Sequence, residues 1–377
     1  MRVFSSIKED IWHDLREAGS YEWWYFDAQS HDHRYSFVAI WYSGFPFSPY
    51  YLKRYSDWQR SQGEASQPLP DPLEHAAFSF NFYDGGAEVI NFIKEGGSHL
   101  FSSSALEPQA RFEQNAFYFD AAEQAFILKF DFSMPSRRMK IKGEVRFAVQ
   151  AVAGIGHVAE LSAGEGMHSW VLAAPSAAAT GSFDIYDGAK RSTDTIRFDG
   201  RGYHDHNFGT VPMNTDIQNW YWGRAHTEHV NGHTDLVYYH IAYKDESRKP
   251  FTFLLLTETD QVVAAENKLQ AELSGFARTA LSLRYAKRLC LSNDRVRFSL
   301  DHQRMLDTGP FYLRFQSAFT VQLAGGTELR LNGISEFLHP DRTSLGVVQN
   351  LIKSKIWREG KTSAMYTLYN FFNRIFQ

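Results

Sequence analysis

A chain of 377 residues exceeds the comfortable size of one hydrophobic core, so two domains are expected. A hydrophobic content of 44% argues against disorder, and a formal charge of −4, from 43 acidic and 39 basic residues, gives no basic excess to mark a nucleic-acid partner. Cys290, the only cysteine, excludes an internal disulfide framework and any cysteine-based zinc or iron–sulfur site.

Met1 to Asp14 mixes Arg2, Lys8, Glu9 and Asp10 with few apolar side chains, unlike a signal peptide. Nowhere do 18 apolar residues run together, so no membrane-spanning helix is expected and a reducing, cytoplasmic setting is the simplest reading. Strand-like segments then follow almost without interruption. They are Tyr35 to Tyr42, Ala76 to Tyr83, Phe117 to Phe119, Ala125 to Phe132 and Lys140 to Val149 in the first half. Trp220 to His226, Leu236 to Tyr243, Phe251 to Thr257, Arg295 to Leu300, Phe311 to Val321 and Glu328 to Ile334 follow in the second. Many alternate polar with apolar, the pattern of a half-buried strand. Asp84-Gly85-Gly86 and Asn231-Gly232 supply turn chemistry. No run of βαβ units appears, so the fold class is predicted to be all-β. Aromatics reach 16%, which suits β-barrels and sandwiches and also the wall of a cavity for a large apolar ligand.

Two Trp-rich segments echo one another. Tyr21 to Asp27 leads into the aromatic strand at Tyr35, and Asn219 to Arg224 leads into Val237 to His240, which would fit two similar barrels or a chance likeness between aromatic strands. The small-residue stretch Ala173 to Ala179 is expected near the boundary, giving one β-domain over 1–190 and a second over 191–343. From Leu345 onward the spacing turns helical. Val348, Leu351 and Ile352 form one apolar group, and Leu368, Tyr369, Phe371, Phe372, Ile375 and Phe376 a second. Residues 344–377 are therefore expected to be a basic amphipathic helical tail. Such a tail packs on its own barrel or docks peripherally on an anionic surface such as the inner membrane.

The densest polar cluster is Gly202 to Gly209. Read as a strand, it puts Tyr203, Asp205 and Asn207 on one face and His204 and His206 on the other. His168 and Trp170 share a face of another strand, and Trp220, Trp222, Arg224 and His226 a face of a third. Two chemistries compete. His204, His206, His226, His229 and His233 could chelate a metal, but no spacing among the 15 histidines is diagnostic and no metal is expected. Alternatively Asp205 is a Brønsted acid in an aromatic pocket, where burial favours the protonated carboxyl and aromatic faces stabilise a carbocation. On position alone the plainer reading, that Asp205 caps a turn or pairs with Arg224 or a histidine, stands ahead of the acid. Gly154-Ile155-Gly156-His157-Val158-Ala159 superficially matches a dinucleotide fingerprint without the βαβ unit it needs, and no nucleophile elbow or phosphate loop occurs.

Several segments together resemble the carotenoid 1,2-hydratase family, within the wider group of lipocalin-like hydratases and terpenoid cyclases. They are Tyr21 to Ala28, Phe47 to Tyr51, Asp71 to His75, His168-Ser169-Trp170 and Gly202 to Asn207, in the family's order. The resemblance implies two lipocalin-like, calycin-type β-barrel domains and cofactor-independent hydration of a terminal isoprenoid double bond in an apolar carotenoid or related substrate. It implies Asp205 as proton donor, with Tyr203 beside it and His168 and Trp170 assisting. Trp24, Trp220, Trp222, Arg224 and Asn207 are the expected substrate-binding residues. Val171 and Leu172 depart from the tryptophan and proline that carotenoid enzymes carry after the His-x-Trp pair. Glu22, Asp71 and His75 are further polar candidates, and Glu22 or Asp71 could serve as the acid instead. A proton-initiated cyclase using the same site and a non-catalytic lipid carrier are the rival functions.

Overall fold

Aromatic and β-branched residues fill segments bounded by turn chemistry, and these segments become strands that are buried on one or both faces. The computed structural model describes residues 1–61, 68–134, 137–150, 168–360 and 362–367. The described chain divides into two units, one holding 2–150, 168–212 and the stretch after 349, the other 213–348.

The first unit contains β1 (Arg2–Phe4), β2 (Tyr21–Ser30), β3 (Tyr35–Ser43), β4 (Ala76–Asp84), β5 (Ala87–Gly96) and β6 (Phe101–Ser103). It continues with β7 (Gln109–Phe112), β8 (Asn115–Asp120), β9 (Ala125–Met134), β10 (Met139–Val149), β11 (His168–Asp187) and β12 (Ser192–Gly209). The sheet runs β5-β4-β3-β2-β12-β11-β10-β9-β8-β7-β6, antiparallel throughout, and β1 adds in parallel to β11. It curls around a phenylalanine-rich core that includes Phe26, Phe37, Phe80, Phe130 and Phe183. Strand β12 returns from far along the chain to lie between β2 and β11, so the first unit extends to Pro212 and past the boundary expected at 190. The stretch Ala173 to Ala179, expected near that boundary, instead lies within β11 and is largely buried, because small residues fit where the sheet packs tightly.

One helix had no sequence-based expectation: α1 (Pro49–Arg60) begins where Ser48 Oγ accepts from the backbone N–H groups of Tyr50 and Tyr51, with Pro49 at the first helical position. The second unit opens with a single helical turn, α2 (Met213–Asp216). Its strands are β13 (Ile217–His229), β14 (Gly232–Tyr243), β15 (Phe251–Glu258), β16 (Gln261–Glu266) and β17 (Gln270–Arg278). β18 (Arg284–Ser292), β19 (Val296–Thr308), β20 (Tyr312–Leu323) and β21 (Glu328–Leu338) complete it, in the order β16-β15-β14-β13-β21-β20-β19-β18-β17. Tyr221 and Ala225 of β13 face this unit's own core with Tyr238, Phe298 and Phe319.

The tail departs from a single amphipathic helix among the described residues. Helix α3 (Gly346–Lys353) is followed by β22 (Ile356–Trp357), which pairs in parallel with β5 and buries Ile356 completely. Lys353 and Arg358 lie over the ring of Tyr50, at 5.7 and 4.3 Å, so two of the tail's cations rest on the first unit's own helix α1. The second apolar group, Leu368 to Phe376, and the glycine motif at 154–159 lie outside the described residues.

Candidate active site

Strand alternation puts Tyr203, Asp205 and Asn207 of β12 on the face turned away from the phenylalanine core, and all three are buried. Asp205 Oδ2 accepts from Trp170 Nε1 and from Tyr203 Oη, both at 2.7 Å, and Oδ1 accepts from Asn207 Nδ2 at 2.9 Å. Strand β11 carries two irregularities that shape this contact. Val171 pairs with His206 and Ala174 with His204, so Leu172 and Ala173 together face the single residue Asp205. Likewise Pro175 and Ser176 face Tyr203 alone. Such bulges re-aim side chains and tolerate a proline that cannot donate to the ladder.

His168 reaches the same face from the start of β11. It pairs with Gly209, which on its other side pairs with Tyr21 of β2. Because Gly209 has no side chain, Tyr21 Oη bridges across β12 to His168 Nδ1 at 3.0 Å. A Cβ at Gly209 would stand 2.5 Å from that hydroxyl. Trp23 stacks on the His168 ring at 5.7 Å and on Tyr21 at 5.4 Å. Burial pushes the His168 imidazole down to about 3, so the ring is neutral at any ordinary pH.

The opposite face of β12 carries a separate buried network. His204 stacks on Phe26 with centroids 3.7 Å apart, and its Nε2 lies 2.9 Å from Asp10 Oδ2. His206 stacks on Trp24 at 4.6 Å, with Nδ1 3.2 Å from Asp10 and Nε2 2.8 Å from Glu22 Oε1. Glu22 Oε1 also lies 2.8 Å from His13 Nδ1. Burial opposes every charge here, yet the neighbours prevail. The two carboxylates raise His206 to about 9, and the facing imidazoles hold Asp10 and Glu22 below the usual carboxylate range. One ligand atom from each of His13, Glu22 and His206 lies within 4.8 Å of the others, a spacing that could hold a metal ion. The 2.8 Å separations are those of hydrogen bonds, which account for the groups as they stand.

A family model described as carotenoid hydratase CrtC matches residues 40–365. The chain belongs to the carotenoid hydratase family. It is 38% identical over 381 residues to a hydroxyneurosporene dehydrogenase of Chlorobaculum tepidum, spanning 100% of this chain and 97% of that protein. It is 27% identical over 208 residues to an acyclic carotenoid 1,2-hydratase of Rubrivivax gelatinosus, which takes in 55% of this chain and 45% of the relative. Among solved structures, that of CghA has the same fold, with a TM-score of 0.58 at 14% identity, covering 85% of this chain and 88% of that one.

In this carotenoid hydratase family member, five residues expected at the site do meet: His168, Trp170, Tyr203, Asp205 and Asn207. Trp24 does not join them, because β2 alternates and Trp24 points to the core face against His206. Glu22 is on that same face within the ion-pair network. Asp71 caps a turn, accepting from the Leu73 N–H at 2.9 Å. His75 Nδ1 lies 2.6 Å from Glu95 Oε1, in a buried pair that Ser48 completes. Trp220, Trp222 and Arg224 share the face of β13 opposite the second unit's core, all buried. Within that unit His226 and His233 both face Asp235, at 2.7 and 3.4 Å. The reading of single segments missed Tyr21, Trp23, Tyr25 and Asp27. The alternation in Tyr21 to Asp27 was visible, but only the pairing of β2 with β12 tells which of its faces belongs with Asp205.

Proposed function

We propose that this protein adds water, without a cofactor, across a terminal trisubstituted double bond of an acyclic isoprenoid or carotenoid, with Asp205 as the acid. One observation carries the reading: a buried carboxyl held by three donors beside aromatic rings. Protonating an unactivated alkene demands an acid whose conjugate base is stabilised as it forms. Trp170, Tyr203 and Asn207 supply that stabilisation, because hydrogen bonds to a carboxylate are stronger than those to the neutral acid. The tertiary cation that results lies against aromatic faces, Trp170 and Tyr203 first. His168, neutral and steadied by Tyr21, orients the water that attacks it.

Family membership supports this assignment, as do relatives whose names concern hydroxylated or hydrated carotenoids. The test is incubation of lycopene, or a shorter linear isoprenoid, in heavy-oxygen water, with mass spectrometry of the product and Asp205→Asn alongside. Labelled alcohol from the native protein alone is the expected result. An isomer of unchanged mass means a cyclase, and a product lighter by two hydrogens fits the dehydrogenase named in the first relative. Unchanged substrate from every incubation favours a carrier.

A further inference from the structure

We propose that Asp27 is the second carboxylate of the reaction, the group that takes the proton from the incoming water; the inference rests on the hydration reading above. Asp27 is fully buried and stands on β2 directly opposite Tyr203, while Tyr25 stands opposite Asp205. Paired residues of antiparallel strands point to the same side, so Asp27 shares the face that carries Asp205, Trp170 and His168. Two tyrosine–aspartate pairs therefore run in opposite directions on neighbouring strands. Tyr203 Oη donates to Asp205 Oδ2 at 2.7 Å, and Tyr25 Oη donates to Asp27 Oδ2 at 2.8 Å. The two tyrosine rings meet edge to face with centroids 6.3 Å apart.

Asp27 and Asp205 are diagonal neighbours on one face, a relation that spaces Cα atoms about 7–8 Å apart across antiparallel strands and brings the side chains nearer. His168 is poorly suited to the second task, since its buried imidazole gives up a proton too easily. The steps balance without a co-reactant. The Asp205 O–H bond breaks as a C–H bond forms at the alkene carbon, leaving a tertiary cation and a carboxylate. Water forms a C–O bond to that cation, and one of its O–H bonds breaks, the proton passing to the Asp27 carboxylate. Exchange with solvent then removes the proton from Asp27 and returns one to Asp205.

The two carboxyls are separable by running the reaction in deuterium oxide and reading two signals, the alcohol formed and deuterium at the vinylic carbon of recovered substrate. Asp205→Asn should lose both. Asp27→Asn should lower kcat about 100-fold or more, the usual scale for a lost general base, with KM within threefold. Vinylic exchange should persist in it, because the cation still forms and reverts. Added azide, which needs no proton removed, should restore capture as the organic azide. Tyr25→Phe leaves the carboxylate in place and should lose about tenfold in hydration with exchange retained, which keeps the inference exposed should Asp27→Asn fail to fold. Full hydration by both Asp27→Asn and Tyr25→Phe, or parallel loss of hydration and exchange in folded variants, overturns the assignment. A native protein that neither hydrates nor exchanges overturns the hydration reading itself, and the base with it.

Discussion

Tyr203→Phe removes one oxygen from a fully buried ring and takes away one donor to Asp205 Oδ2, leaving that of Trp170 in place. Only the difference between the two protonation states affects the rate. A hydrogen bond to a charged group contributes about 1.5–3 kcal/mol and one to a neutral group about 1, so the differential loss is about 0.5–2 kcal/mol. At about 1.36 kcal/mol per decade this is a roughly 2- to 30-fold fall in kcat. Trp170→Phe, which removes a second donor to the same oxygen, should fall in the same range. The assay is initial-rate formation of labelled alcohol at saturating substrate, with vinylic deuterium exchange measured in parallel. Because the lost bond serves the protonation step, both signals should drop together in Tyr203→Phe, unlike the split expected for Asp27→Asn. Unchanged kcat in Tyr203→Phe and in the Tyr203→Phe, Trp170→Phe pair would refute the idea that these donors stabilise the departing charge.

Gly209→Ala should cost both turnover and folding. Its Cβ meets the Tyr21 hydroxyl at 2.5 Å and must push it from His168, giving about 1–3 kcal/mol of overpacking in thermal unfolding and a loss of kcat that exceeds tenfold. Stability should also depend on pH in two windows. His206, raised to about 9 in the fold, contributes stability that is present below its ordinary 6.5 and is lost as pH rises through 9. His168, depressed to about 3, is bound by an extra proton only in the unfolded chain between 3 and 6.5, so stability falls as pH drops through that range. Melting temperature against pH should show both limbs, and His206→Gln should flatten the alkaline one. Trp24→Ala, finally, should behave as a core substitution, costing about 3–5 kcal/mol in denaturant unfolding. A pure KM effect with native stability would contradict its placement on the core face.

The strand succession was legible because alternation and turn residues are local signals: the expected Ala76 to Tyr83 is β4 to within a residue, and Gly85 and Gly86 take the positive φ values their turn requires. The face that carries Asp205, Tyr203 and Asn207 was readable for the same reason. What stayed hidden depends on long-range pairing. Trp24 and Trp23 are neighbours of equal chemical character, and choosing between them requires knowing that Trp23 pairs with Asn207 and Trp24 with His206. Asp27 is distant from Asp205 in sequence and becomes its neighbour only through the β2–β12 ladder. The run Ala173 to Ala179 was ambiguous for the same reason, since small residues mark tight packing as well as a linker. Helix α1 had its signals in Ser48 and Pro49, outweighed by the aromatic content that otherwise marked strands.

The paired bulges in β11 make that strand a counting device. Side-chain direction inverts with every residue, so the orientation of His168 and Trp170 depends on the parity of the number of residues between them and the regular pairing beyond Ala177. Loss of one residue from Leu172 to Ser176 would turn both side chains into the phenylalanine core, while loss of two would restore them. Length variation tolerated in this segment during descent should therefore come in even steps.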